Sequence, residues 1–281
     1  MVESGGLENR FAAQVVTGVR IPTSPPEIMK IIELENIFNA RDLGGMKAAE
    51  GKTIKPWRLI RSSALGKASQ SDIDTLIKAY HLAHVIDFRS EDERFENPHL
   101  TNKFPNVEYH FLCSFDKIQE VVTRDKKSNY LLIKKVENLT VESAIDIIND
   151  FYDQLPTVAS LQKAYKQFFE ILLNNKEGSV LWHCSLGKDR AGIAAVLVEY
   201  ALGVSMEDIR ADYLLTNEYL SDDIKRSKDN AFRVFYGVQN SFLDSWLDSV
   251  NRNFGSIENY LEKSLNVDEA KIKKLREMYL E

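Results

Sequence analysis

The stretch SVLWHCSLGKDRAGIAAVLVEYALG, residues 179–203, decides the fold. Ser179 to His183 is a short apolar run of strand length. After Gly187 the chain is apolar on nearly every side as far as Ala201 and is closed by Gly203. A helix with no polar face belongs in a core. Outward from this unit, residues 57–61, 83–88 and 107–112 read as further strands. Residues 71–80 read as a helix, with Ile73, Leu76, Ile77 and Tyr80 at helical spacing and Ser71 with Asp74 as a start signal. Residues 141–155, 158–173 and 266–280 are helical by the same periodicity, and Ser205 with Asp208 marks another helix start. Strands alternating with helices, then mostly helices, predict an α/β protein with a short sheet flanked by helices.

Composition narrows the class. The chain has 281 residues, 44% hydrophobic and 28% charged, with a net charge of −6. That is globular composition, and an acidic total argues against a sequence-blind nucleic-acid partner. The N-terminus has no signal-peptide pattern, and the longest apolar run contains Glu199, so no integral membrane segment is expected. The expected location is the cytoplasm, or outside the cell by an export route that leaves no recognisable signal. Two cysteines, Cys113 and Cys184, make no disulfide framework. Cys113 reads as a strand-end thiol. His81 and His84 are three residues apart without further ligands along the chain, so zinc is not expected. Residues 1–35 carry Pro22, Pro25 and Pro26 and read as an N-terminal arm; residues 117–138 are charged and irregular.

Chemistry concentrates at residues 183–190. Cys184 sits in a turn leading to a helix N-terminus, where unpaired N–H groups and the helix dipole stabilise a thiolate or a bound anion. Six residues on, Arg190 can close a ring around phosphate oxygens with a bidentate contact. The amides of Ser185, Leu186, Gly187, Lys188, Asp189 and Arg190 form the nest, and Gly187 permits positive φ or close approach. A Walker-type nucleotide loop is excluded, because it needs glycine where Trp182 stands and a hydroxyl where Asp189 stands.

His183-Cys184, five residues and Arg190 resemble the signature loop of the cysteine-dependent protein tyrosine phosphatase superfamily. The fuller HCSLGKDRAG is similar to the HCxxGKDR-(Thr/Ser)-Gly loop of the bacterial, triple-specificity tyrosine phosphatases, which include secreted phosphatases of mycobacteria and Listeria. Asn39-Ala40-Arg41-Asp42-Leu43-Gly44-Gly45, Arg61-Ser62-Ser63, residues 85–90 (VIDFRS) and residues 211–217 (ADYLLTN) resemble flanking motifs of that group. The resemblance covers residues 36 to 281. It implies a phosphatase-like fold: a short, central, mostly parallel sheet flanked by helices, with a helical C-terminal part, in a single domain over 36–281. Residues 218–246, rich in aromatics, are read equally as a helical lid or as packed helices.

The resemblance implies a metal-independent phosphatase with no cofactor. Cys184 would attack phosphorus and form a cysteinyl-phosphate that water hydrolyses. The loop amides and Arg190 would hold the equatorial oxygens, and His183 would orient or stabilise the thiolate. Two carboxylates could protonate the leaving group, Asp87 and Asp189, with Asp87 preferred. Lys188 would add affinity for highly charged substrates, and Arg41 and Arg61 could line the rim, with an ion pair to Asp42 as the equal alternative for Arg41. The expected partners are a phosphorylated protein, chiefly at phosphotyrosine, with phosphoserine, phosphothreonine and phosphoinositides as further candidates. Ala191 departs from the motif, because a hydroxyl there assists departure of the thiolate from the phosphoenzyme. The alternative reading is a pseudophosphatase that captures phosphate with slow or no turnover.

Overall fold

The computed structural model describes residues 30–114, 139–219 and 230–281. The apolar run of residues 179–183 forms β6 (Ser179–His183), and all five of its residues are buried. It lies between β3 (Leu59–Ser62) and β4 (Leu82–Asp87), parallel to both. β5 (Glu108–Phe111) pairs parallel with β4 and forms one edge. On the other side, β2 (Arg41–Asp42) and β1 (Lys30–Ile31) add antiparallel strands, giving the order β1-β2-β3-β6-β4-β5. A strand central to a parallel sheet is covered on both faces, which is why β6 is apolar throughout rather than alternating.

The two faces carry two cores. Trp182 and Ile86, paired in register, belong to the larger one. It is built by α3 (Val141–Gln154), α4 (Ala159–Asn174), α5 (Arg190–Leu202), α6 (Met206–Leu215), α7 (Asn230–Tyr236), α8 (Asn240–Phe254) and α9 (Glu269–Tyr279). Leu181 and Val85, the next register pair, belong to the smaller core with Ile73 and Leu76. α5 is the helix read as apolar all round, and every residue of it except Tyr200 is buried. Gly203 ends it in the left-handed region at φ 82°.

Several expectations shift. The helix read at 71–80 begins one residue earlier as α1 (Gln70–Asp74), its cap two residues earlier: Ser69 and Asp72 cap it reciprocally, not Ser71 with Asp74, and it widens into a π-helical turn at Thr75–Ala79. A further helix, α2 (Glu91–Glu96), follows β4 and is capped by Ser90 and Glu93. Residues 30–35 of the expected arm join the fold: Ile32 is buried, and the Asp72 carboxylate accepts from the Glu35 amide at 2.6 Å. Residues 1–29, and the irregular 117–138, lie outside the described residues. The lid reading is corrected where it can be followed. Phe235, Phe242 and Trp246 are buried in the main core, with Phe242 stacked on Tyr152 at 5.6 Å between centroids, so α8 is packed structure and not a cover. Residues 220–229 of that stretch are outside the described residues.

Candidate active site

The turn between β6 and α5 is shaped by one glycine and capped by one helix. Cys184 follows the last residue of β6 and is 1% exposed. Gly187 has φ 72°, and a Cβ there would stand 2.3 Å from the carbonyl oxygen of Ser62. Any other residue would be strained and would push the turn off β3. Asp189 is the residue before the first turn of α5 and Arg190 opens it, so the turn meets the free N–H groups of a thirteen-residue helix.

The carbonyls of the turn are tied outward. Ser185 O accepts from the Ala64 amide at 3.1 Å, Leu186 O from Asn39 Nδ2 at 3.1 Å, and Gly187 O from the Arg61 guanidinium at 2.8 Å. The described chain has no cis peptide. In a trans peptide the N–H points opposite to the C=O, so the amides of Leu186, Gly187 and Lys188 are turned away from these anchors, toward the hollow of the loop. Arg61 is itself held by Asp212 at 2.6 Å, and Asp212 also takes Arg41 at 2.6 Å; all three are fully buried. Burial alone would raise the Asp212 pKa, but the two guanidinium charges lower it below the ordinary carboxylate range. Arg41 and Arg61 therefore do not line a rim, as the sequence suggested. They brace the back of the loop. The partner of Arg41 is Asp212 rather than Asp42, which instead accepts from the amides of Gly44 and Trp57.

On the inner side, Arg190 is gripped by Glu93 of α2 through two hydrogen bonds of 2.7 and 2.9 Å. Ser185 Oγ donates to the same carboxylate at 2.5 Å. Burial pushes the Glu93 pKa up, yet the Arg190 charge and these hydrogen bonds bring it down to about 2. Arg190 has its pKa raised, the Glu93 charge outweighing burial. Asp189 accepts from Tyr152 of α3 at 2.8 Å and lies 3.0 Å from Lys188 Nζ, and Tyr213 donates to the Tyr152 hydroxyl at 2.8 Å. Lys188 is 1% exposed and also donates to Gly237 O at 3.2 Å, so it is a fixed part of the loop rather than a loose surface cation.

Asp87 and His183 sit elsewhere. They are register partners on β4 and β6, on the face of Val85 and Leu181, whereas Cys184 lies in the core of the opposite face. Asp87 is fully buried in a bidentate ion pair with Arg89 (2.9 and 2.7 Å) and accepts from Tyr109 at 2.6 Å. Burial would raise its pKa, but the neighbouring His183 and Arg89 hold it far below the usual range. A carboxylate locked in an ion pair with Arg89 on the face of the sheet away from Cys184 is a poor general acid, so the preference for Asp87 is revised. His183 Nδ1 stands 3.1 Å from the Cys184 carbonyl oxygen and 3.7 Å from Asp87. Burial lowers its pKa. Its hold on the cysteine is through the backbone, in place of the side-chain partnership expected from sequence.

A family model described as "Tyrosine phosphatase family" matches residues 32–281. The chain belongs to that family. The phosphatase is 28% identical over 253 residues to a protein of Cupriavidus necator assigned as a tyrosine-protein phosphatase, covering 86% of each chain. It is 25% identical over 285 residues to the triple specificity protein phosphatase of Mycobacterium tuberculosis, covering 90% of this chain and all (100%) of that one. A tyrosine-protein phosphatase of Nostoc commune is 25% identical over 240 residues, covering 77% and 72% of the two chains. The α/β fold with its short, mostly parallel sheet is the one the resemblance implied, and no described helix is long and apolar enough to cross a membrane.

Beside the loop of the phosphatase is a small surface depression. Phe38, Tyr219 and Tyr236 wall it, and Leu186 and Lys188 reach it from the loop. Sequence reading missed Glu93, Tyr152 and Asp212. For Glu93 a signal existed: Ser90 and Glu93 are spaced as a capping box directly after the VIDFRS strand. Asp212 was noticed only as part of a motif. Nothing local marks Tyr152, because its role arises from packing between α3 and the loop.

Proposed function

We propose that this phosphatase hydrolyses phosphate monoesters through a cysteinyl-phosphate on Cys184, with phosphotyrosine as the principal substrate. The observation that carries this reading is the loop itself. Its carbonyls are tied outward, its amides turn inward, and Cys184, Arg190 and the N-terminus of α5 converge on it. Such a nest neutralises the charge that builds on the equatorial oxygens during in-line attack. Thiolate, guanidinium and amides supply nucleophile and charge from the chain's own residues. Glu93 holds the Arg190 guanidinium in a fixed plane, which spares the reaction part of the cost of organising it. Phe38, Tyr219 and Tyr236 beside the loop present aromatic faces, which suit contact with an aryl group better than with an alkyl chain. Phosphoserine, phosphothreonine and phosphoinositides are the further substrate classes, with Lys188 adding a second cation to the loop beside Arg190.

Asp189 is the general acid in this scheme. It belongs to the loop, and the Tyr213–Tyr152 hydroxyl chain ends on its carboxylate and orients it. Hydrolysis of a small aryl phosphate is the direct test. We expect vanadate-sensitive turnover that vanishes in Cys184→Ser. Turnover that survives the substitution overturns the mechanism.

One observation favours a second reading. Ala191, fully buried behind Arg190, offers no hydroxyl to the departing thiolate. A chain that forms the phosphoenzyme but releases phosphate slowly would act as a phosphate-capturing module. A pre-steady-state burst of phenol followed by a slow phase supports this version; a linear time course supports ordinary turnover.

A further inference from the structure

The structure assigns a second site, for a divalent transition metal such as zinc, to His84, Glu108 and His110 at the β4–β5 edge of the sheet. Along the chain His84 has no ligand set. Across the ladder it does: His84 is the register partner of Glu108, and His110, two residues further along β5, projects on the same face. His84 Nδ1 stands 3.1 Å from His110 Nε2, 3.5 Å from one Glu108 oxygen, and the other Glu108 oxygen is 3.6 Å from His110 Nε2. Ligand atoms on a tetrahedral zinc, with bonds of about 2.0–2.1 Å, stand about 3.3 Å apart along the tetrahedron edge. With one atom taken from each residue, all three ligand atoms lie within 4.8 Å of one another, so small side-chain rotations would bring them to one ion.

The donor set suits the ion. Two imidazoles and one carboxylate are a borderline-soft combination that selects zinc and its neighbours over calcium or magnesium, which prefer oxygen alone. The histidines are each about one-fifth exposed and Glu108 two-thirds exposed, so an ion can enter from solvent and keep water in a remaining position. Among the described residues this is the only grouping of three such donors close enough to share an ion.

The site is separate from the catalytic loop and does not depend on the reading given above. His84 is in register with Val180, three residues before the end of β6, so the site lies toward the end of the sheet away from the loop that follows His183. An ion there would staple the edge strand β5 to β4, and an edge strand is the part of a sheet with fewest partners.

The test is zinc and cobalt titration of the full chain carrying Cys184→Ser, which removes the loop thiolate as a rival ligand. We expect one equivalent of zinc bound with a micromolar or tighter Kd, and a visible cobalt absorption band of tetrahedral type. Glu108→Gln should weaken zinc at least tenfold, and His84→Ala with His110→Ala should abolish the band. Because Glu108 is exposed, its variant should fold as the parent does. With Cys184 restored, the histidine variants should keep aryl phosphatase activity and lose only the zinc-dependent rise in melting temperature. Absence of stoichiometric zinc overturns the proposal, leaving a plain imidazole–imidazole hydrogen bond. So does one equivalent that persists in all three substitutions.

Discussion

The loop proposed to be catalytic is held from two sides by buried charges, and the two sides differ in kind. Behind it, Arg61, Arg41 and Asp212 form a knot that reaches the loop through the Arg61 hydrogen bond to the Gly187 carbonyl and through Arg41 to Asn39, whose side chain holds the Leu186 carbonyl. In front, Glu93 grips Arg190 and Ser185, and Tyr152 and Lys188 meet Asp189. The rear knot joins residues far apart in the chain and touches no reacting atom. The front pairs hold the side chains proposed to do the chemistry. The rear should therefore be worth stability, and the front should be worth rate.

Breaking the rear should show the largest effect. Asp212→Asn leaves two buried guanidinium groups without a full counter-charge, and removing one partner of a buried pair typically costs about 3–5 kcal/mol. Urea unfolding should report the loss. If the loop is merely braced by this knot, the surviving folded fraction should retain a near-normal KM.

Glu93→Gln tests the front. It frees the plane of Arg190, and a misplacement of about 1 Å in such a group can cost about 10²-fold in rate. We expect kcat to fall by that order with a smaller change in stability. The same residue has a signature in pH. Its carboxyl titrates at about 2 in the folded protein against 4.5 ordinarily. A depressed carboxylate contributes stability that is complete above its unfolded pKa and disappears as pH falls through the folded one. Acid unfolding between about pH 4.5 and 2 should thus be shallower in Glu93→Gln than in the parent, as measured by circular dichroism.

Asp189→Asn and Asp87→Asn separate the two carboxylates. A general acid matters most when the leaving group is poor, and its loss typically costs about 10²-fold or more. Asp189→Asn should lower turnover of alkyl phosphates far more than that of nitrophenyl phosphate. Asp87→Asn should strand Arg89, lower the melting temperature and leave the leaving-group dependence unchanged. The smallest change expected is Ala191→Ser, which should speed phosphoenzyme breakdown several-fold and shrink any burst. An equal burst in both would remove Ala191 from the account.

Much of this was legible in advance because it is local. β6, α5 and the caps at Ser205 follow from apolar patterning and short-range hydrogen bonds, and they occur close to where the pattern places them. The face assignment of His183 was also legible in principle: side chains alternate along a strand, so His183 and Cys184 cannot both point at one pocket. The register of β4 against β6 was not legible, and it is what sets Asp87 beside His183. The start of α1 was misread because Ser69 and Ser71 each have an aspartate three residues on, and the choice between them is made by tertiary contact: the Asp72 carboxylate also accepts the amides of Glu35 and Asn36.

By itself, then, the amino-acid order determined the strand–turn–helix unit, the placement of Cys184 and Arg190 on one loop, and the positive-φ turn at Gly187. These depend on offsets of a few residues, over which backbone geometry leaves little choice. The tertiary structure alone decided which carboxylate faces Arg190, which guanidinium groups hold the loop rather than the substrate, and that His84 meets Glu108 and His110 across a strand pair. Those outcomes depend on how strands order and register in the sheet, and burial settles that order by the fit of whole faces rather than by any neighbouring residue.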